Sequence, residues 1–179
     1  MDVSPSGGGI VKVNQNDPSS YPADFSLTSG ESVSLEAVPA AGYRFENWSG
    51  DVAGTSHITN ITIDCNKKVT ANFSRIMHSL TMQVNGSGST TPEVGSHSYG
   101  EGTTVSITAT PDIDWQFDGW TGDVTEPAMA TTMVTIDSNK TVIANFSQVK
   151  PIWWLIGGII AGVVIIGVIV WLVVRSRRS

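Results

Sequence analysis

Apolar and polar residues alternate along much of the first 147 positions, and no stretch there carries the three-to-four spacing of an amphipathic helix. Val33, Leu35 and Ala37 fall on one side of a period of two, as do Val105, Ile107 and Ala109. That alternation predicts half-buried strands, which Pro39 and Pro111 close. Tyr43 and Phe45, and likewise Trp115 and Phe117, share a face of the next strand, whereas Trp48 and Trp120 break its parity. An odd step inside a strand predicts a bulge or the start of a turn. Trp-Ser-Gly-Asp and Trp-Thr-Gly-Asp then supply the Gly and Asp that turns favour. Ile61 and Ile63, matched by Val134 and Ile136, predict a further strand, and Asp64–Lys67 and Asp137–Lys140 a tight turn. Val69, Ala71 and Phe73, with Val142, Ala144 and Phe146, predict the last strand. A hairpin is expected from Leu80–Val84 onward.

The pattern changes at Ile152. Ile152 to Val174 is 23 residues without a charge. As a helix it measures roughly 34 Å, against a hydrocarbon core of about 30 Å. It has no polar face for water, so a transmembrane helix is expected, with Trp153 and Trp154 at one membrane interface and Trp171 at the other. Arg175, Arg177 and Arg178 crowd the far end, which places that end in the cytoplasm and the preceding chain outside the cell. Gly158 and Gly162 stand four apart, a spacing that lets two helices approach closely and supports a weak homodimer.

The β-patterned part is one unit written twice. Ser32–Val52 and Thr104–Val124 match at nine of 21 positions, and Ile61–Ser74 and Val134–Ser147 at ten of 14. The expected organisation is module one at 1–75, module two at 76–147, a linker at 148–151, the span at 152–174 and a basic tail at 175–179. Copy two opens on His78-Ser-Leu-Thr-Met-Gln-Val84, whereas copy one has only Met1-Asp-Val3 before its Gly-rich turn. Its first strand therefore reads as shortened, which together with the lack of an apolar leader in residues 1–20 suggests an upstream portion. Copy one also carries a longer loop at Asn14–Ser29. A unit of about 70 residues sits near the lower limit for a self-sufficient core. The paired aromatics Tyr43, Phe45, Trp48 and Phe73, and Trp115, Phe117, Trp120 and Phe146, are expected to supply its apolar mass.

Two runs carry a family resemblance: G-x-x-V-x-L-x-A-x-P-x-x-G-Y-x-F-x-x-W-S-G-D at Gly30–Asp51 and I-x-x-D-x-N-K-x-V-x-A-N-F at Ile61–Phe73. Together they resemble the divergent internalin-B-type repeat of bacterial proteins, in two tandem copies. The resemblance implies small β-rich, β-grasp-like modules on secreted or surface-anchored prokaryotic proteins, spacing or presenting other domains and in some cases adhering. It brings no catalytic residues. Copy two departs from the pattern at Asp114-Trp115 and Thr121, which keep an aromatic and a hydroxyl.

Charge and chemistry narrow the function. The first 149 residues hold six Lys or Arg against sixteen Asp or Glu, a net of −10, which is no footprint for nucleic acid. No phosphate loop, nucleophile elbow or zinc-protease motif occurs, and none of His57, His78 and His97 recurs between copies. No catalysis, cofactor or metal is therefore expected, although Asp112, Asp114, Asp118 and Asp123 gather around one strand as oxygen ligands for calcium would. Asn47, Asn60, Asn72, Asn85, Asn139 and Asn145 head glycosylation sequons. Cys65 stands where copy two has Ser138 and is expected to be a free thiol. The fold class is mainly β, two tandem modules plus one C-terminal transmembrane α-helix. The function expected is a non-enzymatic, single-pass cell-membrane protein whose repeats form an extracellular stalk or adhesion segment. Its partners are membrane lipid and an extracellular protein or glycan. Two readings stand against it: a ligand- or partner-binding module using Asn14–Ser29, and the anchor region of a larger exported enzyme.

Overall fold

Period-two alternation buries one face of each strand, and two such faces must meet to leave water. The computed structural model describes residues 1–18 and 20–150, and within them each module is a pair of packed sheets. Module one contributes β1 (Asp2–Ser4), β2 (Gly9–Val13), β3 (Ser32–Pro39), β4 (Tyr43–Gly50), β5 (Ile58–Thr62) and β6 (Val69–Arg75). Its sheets have the orders β1-β6-β4 and β2-β3-β5. Module two contributes β7 (Met77–Asn85), β8 (Gly88–Thr91), β9 (Gly95–Gly100), β10 (Thr103–Pro111), β11 (Trp115–Thr121), β12 (Thr131–Ile136) and β13 (Lys140–Gln148). Its sheets have the orders β11-β13-β7-β9 and β12-β10-β8.

Each core is one apolar cluster drawn from both sheets. In module one Val33, Leu35 and Ala37 of β3 meet Trp48 of β4 and Val69, Ala71 and Phe73 of β6. In module two Val105, Ile107 and Ala109 of β10 meet Leu80 and Met82 of β7, Trp120 of β11 and Val142, Ala144 and Phe146 of β13. The first and last strands of each module lie side by side and parallel, β1 with β6 and β7 with β13. The other ladders are antiparallel.

Two sequence expectations need correcting. The hairpin expected from Leu80–Val84 onward does not form, because β7 and β8 belong to opposite sheets. The glycine turn at Gly86, with φ of 98°, carries the chain from one layer to the other. The grasp-like description also fails in one respect. A β-grasp covers its sheet with a helix, and among the described residues there is none; the second layer is another sheet.

The transmembrane span at 152–174, with Trp153, Trp154, Trp171, Gly158 and Gly162, and the tail arginines Arg175, Arg177 and Arg178, lie outside the described residues. Among the described residues no helix is long and apolar enough to cross a membrane.

Candidate functional site

The recurring residues build the same clamp twice. Trp48 and Trp120 are 2% and 5% exposed. Phe45 lies 5.2 Å from Trp48 and 5.7 Å from Phe73, ring centre to ring centre; Phe117 lies 5.4 Å from Trp120 and 5.8 Å from Phe146. These separations and their tilted or edge-on planes are those aromatic pairs prefer. Each indole N–H donates to a backbone carbonyl across the following loop, Trp48 to Ser56 at 2.8 Å and Trp120 to Met129 at 2.9 Å. The polar edge of each ring is thereby satisfied inside an apolar cluster. Tyr43 and Trp115 are half-buried and pack against the same two clusters.

The parity break has a structural cause. Pairing of β4 with β6 slips between Phe45 and Asn47, and pairing of β11 with β13 slips between Phe117 and Gly119. One residue bulges out in each copy, Glu46 or Asp118, and the tryptophan two places on returns to the core. The Ala-Asn-Phe-Ser segment holds this bulge. The Asn72 amide donates to the Asn47 carbonyl at 3.2 Å and to the Ser49 hydroxyl at 2.9 Å. The Asn145 amide donates to the Gly119 carbonyl at 3.1 Å and to the Thr121 hydroxyl at 2.9 Å. Ser74 and Ser147 donate to the bulged carboxylates of Glu46 and Asp118. The Ser74 hydroxyl, and then Arg44, hold the Glu46 carboxyl below the usual carboxylate range.

The glycine of the Trp-Ser/Thr-Gly-Asp run is needed for its backbone. Gly50 and Gly122 have φ of 94° and 127°, and a Cβ would lie 2.2 Å from the Lys68 carbonyl oxygen or 2.6 Å from that of Thr141. No side chain fits there. The neighbouring Asp51 accepts from the Lys68 N–H at 2.6 Å, whereas Asp123 pairs with Lys140. Lys140 also reaches Asp137 at 3.0 Å, and Lys67 reaches Asp64 at 2.6 Å. Those ammonium groups hold Asp137 and Asp64 below the usual carboxylate range.

The other sequence candidates separate. Asp112 accepts from Ser87, Asp118 from Ser147 and Asp123 from Lys140, so these carboxylates turn to partners of their own. Among the described residues no three His, Cys, Asp or Glu are grouped for a metal. Of the sequon asparagines, Asn47, Asn72, Asn85, Asn139 and Asn145 enter side-chain hydrogen bonds, while Asn60 is exposed on β5. Cys65 is exposed, and the Asp64 carboxylate beside it pushes its thiol up, away from the reactive thiolate.

The loop expected to serve as a contact surface is fastened down. Tyr21 donates from its hydroxyl to the Val11 carbonyl at 3.0 Å and accepts from the Val11 N–H, occupying both backbone groups of that β2 residue. Burial pushes the Tyr21 hydroxyl pKa up. Beside this loop lies a feature that strand periodicity does not reveal: a cavity of 640 Å³ lined by Phe25–Leu27, Cys65–Val69, the core residues Val33, Leu35 and Ile61 and the half-buried Ile63.

One residue separates the last strand of module one from the first of module two. β6 ends at Arg75 and β7 starts at Met77. Ile76 between them donates its N–H to the Gly42 carbonyl at 2.8 Å and accepts at its carbonyl from the Glu101 N–H at 2.9 Å. Arg75 lies 5.8 Å from the Tyr43 ring centre, a cation–π distance. His78 and Glu101 approach to 3.2 Å across the start of module two.

No curated protein and no solved structure was found to match the chain. A family model described as the divergent InlB B-repeat domain matches residues 2–77 and again residues 78–150. Those matches take in both two-sheet modules with their aromatic clamps, and the chain therefore belongs to the divergent InlB B-repeat domain family.

Proposed function

We propose that this chain is a non-enzymatic cell-surface protein in which two tandem β modules form a short extracellular stalk or adhesion segment, retained at the membrane by residues 152–174. The observation that carries the reading is where the duplicated residues go. They are spent on core and clamp: Trp48 and Trp120 are buried, and Asn72 and Asn145 lock the bulges. Repetition that reproduces a scaffold suits a load-bearing or spacing part, which needs foldedness and length rather than a reaction centre. The joint at Ile76, tied to a carbonyl of one module and an amide of the next, favours transmission of position along the pair. The uncharged 23-residue run and the arginines after it give the retention its physical basis.

The test is fractionation followed by binding. Cells expressing the full chain are lysed and the membranes washed with alkaline carbonate, and whole cells are then assayed for adherence to immobilised host-type glycans and proteins. The reading expects the chain to stay in the washed membranes and to change adherence or the reach of a fused reporter. Recovery of the chain in the aqueous wash would contradict it.

A further inference from the structure

The far end of each module carries the same turn. In module one the Tyr43 N–H donates to the Ala40 carbonyl at 3.0 Å, and in module two the Trp115 N–H donates to the Asp112 carbonyl at 3.0 Å. The third residue of each turn is left-handed, Gly42 at φ 77° and Asp114 at φ 64°. Its carbonyl accepts from the chain as it leaves the module, from the Ile76 N–H at 2.8 Å or the Val149 N–H at 2.7 Å. Each turn is thereby pinned to the exit of its own module.

In module one that end is occupied. Ile76 leads into β7, and the Glu101 N–H of module two donates to the Ile76 carbonyl at 2.9 Å. A Cβ on Gly42 would lie 3.4 Å from the Glu101 carbonyl oxygen, so module two stands against this turn. Module two differs here at three successive places: Ala41 at the tip becomes Ile113, Gly42 becomes Asp114 and Tyr43 becomes Trp115. A further module seated as module two sits on module one would set a carbonyl oxygen against the Asp114 carboxylate, two acceptors with no hydrogen to share. Ile113 is 90% exposed, the most of any large apolar side chain among the described residues, and Val149 beside the turn is 46% exposed.

The next segment of the chain supplies the cover. The uncharged run opens at Ile152, three residues after Val149 and at most about 11 Å away along an extended backbone. With that run in a bilayer, the turn at the module's exit stands at the lipid surface. We infer that the turn Asp112–Trp115 is a membrane contact, in which Ile113 seats at the boundary of headgroups and acyl chains and the Trp115 indole lies at headgroup level. Asp112 and Asp114 flank Ile113, so the attraction is apolar and a zwitterionic lipid surface suits it. The contact gives module two a second attachment and fixes the angle at which the pair of modules leaves the membrane. The inference rests on the retention of residues 152–174 in the bilayer.

The test uses the full chain reconstituted in phosphatidylcholine vesicles. Cys65→Ser leaves one thiol, introduced as Ile113→Cys or, for comparison, as Ala41→Cys, and each carries a nitroxide, itself an apolar group. Vesicle flotation reads retention, and relaxation of the nitroxide by a water-soluble nickel chelate reads depth. The chain is expected to float, with the label at 113 shielded from nickel about tenfold more than the label at 41, the population ratio that burial of one aliphatic side chain supports. In the chain with its native Ile113, amide exchange across 112–114 is expected to be about tenfold slower than in Ile113→Ser, with 40–42 unchanged. Equal shielding at the two sites in a chain that floats would overturn the inference and leave retention standing, as would exchange that Ile113→Ser does not change. Shielding that grows with the protein-to-lipid ratio would also overturn it, because a second copy would then cover the turn. A chain that does not float would overturn retention, and the contact with it.

Discussion

At the scale of single residues, much of the sequence identity between the two copies is explained by one bulge. Phe45 and Phe117 precede it, Trp48 and Trp120 follow it, and Asn72 and Asn145 tie it from the neighbouring strand. Replacing Trp48 or Trp120 with Ala removes a buried indole, at a cost of about 3–5 kcal/mol. That is a large part of what a module of this size has to spare. The near-ultraviolet dichroism of the mutated module is expected to vanish while the other module's melting transition persists. Asn145 offers a finer test, because its amide faces two oxygen acceptors. Asn145→Ala is expected to cost about 1–2 kcal/mol, and Asn145→Asp more, since a carboxylate would then face those oxygens. Chemical denaturation midpoints of the two variants check the order. Parity alone made the tryptophans conspicuous in the sequence. The role of the asparagine was illegible there, because its partners sit on a strand more than twenty residues away and hydrogen bonding leaves no periodic trace.

At the scale of elements, alternation revealed the strands but not which layer each would join. β10 and β12 pair as neighbours in one sheet, yet β7 and β8, separated by a two-residue turn, part into opposite layers. Period two records that one face is buried; it does not record which partner buries it. The long loop of module one shows the same limit. Its length was visible in the sequence, but its attachment through Tyr21 to both backbone groups of Val11 depends on where β2 lies. That contact also covers an edge strand that would otherwise offer paired hydrogen-bonding groups to other chains. Tyr21→Phe is expected to speed amide exchange across residues 10–13 and to lower stability by about 1 kcal/mol, with β8 of module two unaffected. Unchanged exchange at 10–13 would show that the loop is held by its apolar contacts alone.

At the scale of the whole molecule, two modules with the same clamp are joined through Ile76. The acidic balance of the modules and the arginines that follow the uncharged run were both legible in the composition, because charge placement needs no tertiary information. In the proposed function both modules lie on the outer side of the cell membrane, and Cys65 is an exposed reporter within the first of them. The most direct measurement is labelling of Cys65 with a membrane-impermeant maleimide on intact cells, compared with the same cells after lysis. The predicted result is equal labelling in both samples. Labelling that appears only after lysis would put the modules on the inner side and contradict the account.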